Sequence, residues 1–388
     1  MISSKKWIEV DLDGVKHNVN EIKRHLRKGT LLIAVVKADA YGHGCTEVSR
    51  ICLESGADWL GVAHPIEGEN LRRLGVEAPI FVLSPPFLEM ADIVARNQLI
   101  QGVDSTEQLR ALNYCAEKEQ KNAIVHIKVD TGLGRFGIPP KDVVEFARDV
   151  LQFRNVKLQG VYTHFASPYS DREYTRHQYN KFLEVKQLLQ RAHIPIEMFH
   201  CANSPAAMDF RHMHMDAVRI GFSLCNRCIG LEESKQWNLK DCLQFKTNII
   251  KVRKVGRGEH VGYENRCVAE RDMEIGIIPV GYADGIPTAL ANRGYCLIRG
   301  ERRPLVGSVA LNQSFVDLTG CANTVSIGDE VVLIGEQNDT SITYREIAKQ
   351  TKAGNAETIL RIVGNNPRFF SENGKIFRSN ISQSDIIT

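Results

Sequence analysis

The sequence predicts an α/β protein: a closed parallel (β/α)8 barrel of the TIM type, followed by a mostly β domain. Between residue 31 and about residue 230, eight short apolar runs alternate with stretches of helical period, the pattern of successive βα units. Eight such units close into a barrel, whereas an open doubly wound sheet normally has fewer strands. Beyond about residue 240 the texture changes to strand-like segments separated by Gly-containing turns. At 388 residues, 43% hydrophobic and 24% charged, the chain can bury one large core and a smaller one.

Taken in order, residues 7–11 alternate between apolar and polar and precede the barrel, so they are expected to pair with the β domain. The expected domains are 1–11, a strand on the C-terminal domain; 12–238, the barrel; and 239–388, the β domain. Barrel strands are predicted at 31–37, 58–63, 78–84, 99–104, 123–130, 158–165, 197–203 and 217–224. Helical stretches such as 105–121, 142–153 and 177–192 lie between them, with Gly, Pro or Asn at many joints. In the second domain, 245–255, 273–280, 295–298, 306–318 and 330–334 read as strands, punctuated by Gly256-Arg257-Gly258 and Gly328-Asp329. Its end, 343–354 and 356–363, reads as helical.

Charge and composition narrow the partners. Forty-nine Lys and Arg against forty-six Asp and Glu leave +3, and the basic cluster Arg299, Arg302 and Arg303 is short and lacks interleaved aromatics, so no nucleic acid is implied. No run approaches membrane-spanning length and residues 1–11 lack a signal-peptide core, which reads as a cytoplasmic protein without membrane contact. Ten cysteines scattered from Cys45 to Cys321 suit reduced thiols. The pair Cys225-x-x-Cys228 stands alone, so it reads as burial and no metal is expected.

The stretch 31–44, LLIAVVKADAYGHG, carries the strongest chemical signal. An unbroken apolar run reads as a strand buried on both faces, and Lys37 stands where that strand leaves the sheet. A lysine partly removed from water has a lowered pKa and becomes a nucleophile. Tyr41, Gly42, His43 and Gly44 add an aromatic hydroxyl and two flexible backbone positions suited to a phosphate or carboxylate. Other polar residues fall at the same C-terminal strand ends: Arg135 after the fifth strand, His164 at the sixth, Asn203 and Ser204 at the seventh, Arg219 at the eighth. Barrel enzymes build active sites on that rim.

The motifs AVVKADAYGHG, KVDTGLGRFG, THFA, CANS, VRIGFS, VGYEN and PVGYADG, in this order and spacing, closely resemble the fold-type III, pyridoxal-phosphate-dependent alanine racemases over nearly the whole chain. The resemblance implies pyridoxal 5'-phosphate as cofactor, an amino acid as substrate and a head-to-tail homodimer with shared sites. Lys37 would hold the cofactor as a Schiff base and Arg219 would face its pyridine nitrogen, held by His164. Phosphate would be gripped by Tyr41, Ser204 and the amides of Gly221 and Phe222, with Asn203 beside them. Arg135, with Lys128 as its partner at a position often carbamylated in the family, would lie near the substrate carboxylate. Lys37 and Tyr263 would be the two acid–base groups, Tyr263 coming from the other subunit's β domain. Tyr282, Leu311 and Ala356 would line the substrate path.

The entrance departs from the family pattern. Ala356 aligns with a common tyrosine, Ala310-Leu311-Asn312 with Cys-Met-Asp, Ser308 and Thr288 with arginines, and Tyr169 with an acidic residue. Leu224-Cys225-Asn226 replaces the Leu-Tyr-Gly that commonly follows the eighth strand. A substrate range reaching serine or longer, basic side chains is therefore expected. Decarboxylation on the same scaffold and a non-catalytic cofactor carrier are the alternative readings; Tyr263 argues against the first and the C-terminal domain against the second.

Overall fold

The computed structural model describes residues 4–85, 88–227, 236–321 and 324–378, which form two compact units. The first holds residues 14–40 and 44–240 of the described chain; the second holds residues up to Asp13, Tyr41–His43 and those from Asp241 onward.

A strand at the chain's start, β1 (Lys6–Asp11), belongs to the second unit. The first unit is a closed barrel of β2 (Leu31–Val35), β3 (Trp59–Val62), β4 (Ile80–Val82), β5 (Ile100–Val103), β6 (Ala123–Lys128), β7 (Val156–Tyr162), β8 (Met198–Asn203) and β9 (Ala217–Ile220). Each pairs in parallel with the next, and β2 closes the ring on β9 through Leu31 to Ala34 against Ala217 to Ile220. Leu32, Ile33, Ala34, Leu60, Phe81 and Val125 lie within its core, which is why these strands read as unbroken apolar runs. The helix predicted over 177–192 begins earlier, at Arg172, because Asp171 caps it by accepting from the Tyr174 amide.

Among the described residues the second unit is built on an 11-stranded sheet. Its strands are β1, β10 (Leu243–Asn248), β11 (Lys251–Val255), β12 (Met273–Ile278), β13 (Tyr295–Ile298), β14 (Glu301–Val306), β15 (Ser314–Asp317), β16 (Glu330–Gln337), β17 (Thr340–Ile342), β18 (Arg368–Glu372) and β19 (Lys375–Phe377). β1 lies between β10, antiparallel, and β18, parallel, with Ile8 and Val10 fully buried.

Two predicted strands divide. The run 245–255 becomes β10 and β11 because its partner changes: Thr247 and Asn248 pair with β16, whereas the Ile250 amide donates to Ile277 at the end of β12. The run 306–318 is broken at 307–313, where Gly307 turns with φ 68 and the Ala310 amide donates to Gln313 O.

Candidate active site

Lys37 stands two residues beyond β2, where the chain enters a left-handed turn. Ala38, Asp39, Ala40 and Tyr41 all have φ between 50 and 55, a conformation costing about 1–2 kcal/mol per non-Gly residue. Glu67 offsets that cost: one carboxylate oxygen accepts from the Ala38 amide at 2.7 Å, the other from Ala63 and His64 at 2.7 and 3.1 Å. Asp39 closes the far side, its carboxylate accepting from the Cys45 amide at 2.6 Å. Lys37 is half-buried, and its amine is held below the ordinary lysine value first by burial and then by the Arg135 charge, against the opposing pull of Glu67.

Arg219, 2% exposed on β9, is the hub of the interior. Its Nη2 donates to Thr163 O at 2.7 Å, Cys201 O at 3.0 Å and His164 Nδ1 at 3.3 Å, and its Nη1 donates to His200 Nδ1 at 2.8 Å. Its Nε is buried and has no hydrogen-bond partner among the described residues. Burial pushes Arg219 down to about 10 and His164 well below its usual range, so His164 is a neutral acceptor beside a cation. Lys128, at the end of β6, sits 4.4 Å above the Tyr162 ring and is pushed down to about 7, by burial first and then by the Arg219 and Arg135 charges. Exposed Arg135 stacks 5.5 Å from the Phe136 ring.

Asn203 and Ser204 form the junction of β8 with a short helix, where the Asn203 side chain accepts from the Ala206 amide at 3.4 Å. Ser204 Oγ accepts from the Gly221 amide at 3.1 Å, so these two share one cradle, with Phe222 next in the chain. Ser223 Oγ, buried beside them in sequence, has no partner among the described residues.

The remaining candidates lie in the sheet unit, and Tyr263, Tyr282 and Leu311 are tied together by the 307–313 loop. Ser308 Oγ accepts from the Tyr263 amide at 2.7 Å, leaving the Tyr263 side chain 69% exposed. The Tyr282 amide donates to Ala310 O and the Ala283 amide to Leu311 O, both at 2.9 Å, so Tyr282 and Leu311 are neighbours and both are about half exposed. Ala356 stands in the first turn of the helix Asn355–Val363. Cys228 of the Cys225 pair lies outside the described residues; among the described residues no His, Cys, Asp and Glu cluster suits a metal.

Comparison with known proteins decides the family. Residues 10–226 match the alanine racemase N-terminal domain and 242–370 its C-terminal domain. The chain belongs to the alanine racemase family. It is 38% identical over 372 residues to the alanine racemase of Halothermothrix orenii, covering 95% of this chain and 97% of that one. It superposes on the crystal structure of the Bacillus anthracis alanine racemase with bound L-Ala-P at a TM-score of 0.89 and 32% identity, covering 97% of each chain. A histidine racemase from Leuconostoc mesenteroides is similar at a TM-score of 0.82 and 26% identity, covering 96% of this chain and 99% of that one. This alanine racemase relative is an isomerase, an amino-acid racemase. Among its described residues no helix is long and apolar enough to cross a membrane.

Several residues of this racemase's site carried no legible signal. Glu67 reads as an ordinary helix carboxylate, and its reach back to Ala38 follows from helix placement, not from sequence spacing. His126 and His200 are single polar letters inside apolar runs; their position at inward-facing strand centres is the one cue that marks them.

Proposed function

We propose that this racemase works with pyridoxal 5'-phosphate held by Lys37 at its aldehyde and by Arg219 at its ring nitrogen, with Tyr263 as the second acid–base group. The observation that carries the reading is a lowered Lys37 amine together with a buried Arg219 Nε that has no partner among the described residues. Leaving such a donor unsatisfied costs about 1–3 kcal/mol, which a bound acceptor nitrogen would remove. Ser204 Oγ and the Gly221 amide, with Tyr41, Asn203 and Phe222, suit a phosphate. The residues therefore fit the group.

When bound, the cofactor draws electrons from an amino acid joined to its aldehyde carbon and so acidifies the α-hydrogen. Lys37 Nζ takes or returns that proton on one face, and the Tyr263 phenol does so on the other. Arg219 donates without surrendering its proton, which limits the charge drawn into the ring and favours return of hydrogen to the same carbon. His164 holds the guanidinium through its bond to Nη2. Arg135 supplies positive charge near Lys37 for the substrate carboxylate. Lys128, pushed down to about 7, keeps enough neutral amine to add CO2 as a carbamate, with loss of one proton.

Tyr263 of one protomer completes the site of its partner in a homodimer; its exposed ring and anchored backbone support this. Buried thiols such as Cys45, Cys52, Cys201 and Cys296 support a cytoplasmic setting. The substrate range extends past alanine, because Ala356, Ser308, Thr288 and Tyr169 replace the bulky and charged groups common at the family's entrance. The similar fold of a protein named histidine racemase supports that widening.

Borohydride trapping with added pyridoxal phosphate, followed by peptide mapping, tests the anchor. Label on Lys37 is the expected result, and label on a different lysine overturns the assignment.

A further inference from the structure

A line of hydrogen bonds runs through the barrel interior from Arg219 to its opposite end. Arg219 Nη1 meets His200 Nδ1 at 2.8 Å, and His200 Nε2 meets His126 Nδ1 at 2.9 Å. His126 Nε2 meets Gln159 Oε1 at 3.1 Å, and Gln159 Nε2 donates to Glu197 Oε2 at 3.3 Å. Glu197 immediately precedes β8 and is exposed, its other oxygen 2.8 Å from Lys157 Nζ.

The chemistry of arginine gives this line a direction. A guanidinium has donors only, so His200 Nδ1 must accept and the ring hydrogen must sit on Nε2. That hydrogen goes to His126 Nδ1, which puts the second ring's hydrogen on Nε2 as well. Gln159 then accepts through its oxygen, and its amide is left to donate to the carboxylate. Every donor along the line has one acceptor; reversal would set a His200 Nδ1 hydrogen against the Arg219 hydrogens, donor against donor, and a doubly protonated ring would put a charged imidazole beside Arg219. Burial opposes that: it holds His126 down to about 4 and His200 well below its usual range.

Packing holds the rings in place. Tyr162 stacks on His200 with centroids 5.1 Å apart and planes 8° from parallel, its hydroxyl donating to Leu83 O at 2.6 Å. Glycine makes room for both rings. A Cβ at Gly160 would lie 2.7 Å from the His126 ring, and one at Gly102 would lie 2.2 Å from the Tyr162 oxygen.

We propose that His126, Gln159 and Glu197 form with His200 a one-way positioning relay, through which a carboxylate at the far end of the barrel fixes the orientation and donor strength of Arg219. The relay's value to catalysis rests on the role of Arg219 proposed above. With Nη1 held by the relay and Nη2 by Thr163, Cys201 and His164, Nε is the guanidinium nitrogen left without a partner among the described residues, and its direction is set by the other two. A terminal carboxylate polarises each link toward itself, making His200 Nδ1 a stronger acceptor for Arg219.

The test uses 15N-labelled full-length protein without added cofactor, so it decides the relay even if the cofactor assignment fails. Side-chain NMR is expected to show His126 and His200 both neutral and protonated on Nε2 near pH 7. Gln159→Leu, at a residue that bonds to His126 but to neither His200 nor Arg219, is expected to shift the His126, His200 and Arg219 Nε resonances, and Glu197→Gln to shift the same three less. In the cofactor-loaded protein, Gln159→Leu is expected to lower kcat about tenfold with KM little changed. A hydrogen on Nδ1 of either ring, or a perturbation confined to His126, overturns the proposal.

Discussion

Lys128 and Ala356 are two residues at which one side chain changes a measurable property. Burial holds the Lys128 amine down to about 7, below its ordinary 10.5. Between those values the native state binds fewer protons than the unfolded chain, so the residue makes stability rise with pH, by up to about 1.4 kcal/mol per pH unit. Below about pH 7 the ammonium is buried at full cost. Lys128→Met is therefore expected to stabilise the protein most at pH 6–7 in CO2-free buffer and to lose that advantage by pH 10, as read from urea unfolding; a pH-independent difference would contradict the burial argument. At Ala356, the proposed widening supposes that the missing phenol ring leaves room, where each buried methylene would contribute roughly 0.8 kcal/mol. Comparison of kcat/KM for alanine, serine, lysine and arginine should show appreciable turnover beyond alanine, narrowed toward alanine by Ala356→Tyr. If the wild type strongly prefers alanine and the tyrosine changes nothing, the widened range is wrong.

The decisive element is the left-handed turn 38–41, an Ala-Asp-Ala-Tyr segment held at positive φ by bonds to Glu67 and Asp39. Glu67→Ala removes the acceptor for three backbone amides. A loss of about 1–3 kcal/mol in unfolding free energy and faster hydrogen exchange at the Ala38 amide are expected, with Glu67→Gln between it and wild type. Unchanged exchange at Ala38 would show that the turn does not depend on the carboxylate. This turn also marks where sequence reading stops. The barrel strands were legible because burial on both faces leaves continuous apolar runs, and the rim residues because unusual side chains recur at their ends. Nothing in Ala-Asp-Ala announces a left-handed backbone, since these residues disfavour it and adopt it only under tertiary restraint. The divided runs 245–255 and 306–318 were illegible for a similar reason: a change of strand partner leaves hydrophobicity almost unaltered.

At the scale of the whole molecule, the proposed acid–base groups come from different units: Lys37 from the barrel, Tyr263 from the sheet. In the proposed dimer, one protomer's Tyr263 and its partner's Lys37 make a single racemising site. A homodimer lacking Lys37, or one lacking Tyr263, then has no complete site, whereas a mixed dimer has one. The direct measurement mixes separately inactive Lys37→Ala and Tyr263→Phe proteins with pyridoxal phosphate and L-alanine, and follows the appearance of D-alanine after subunit exchange. Recovery of racemase activity in the mixture is the expected result; no recovery, with subunit exchange demonstrated, would contradict the shared site.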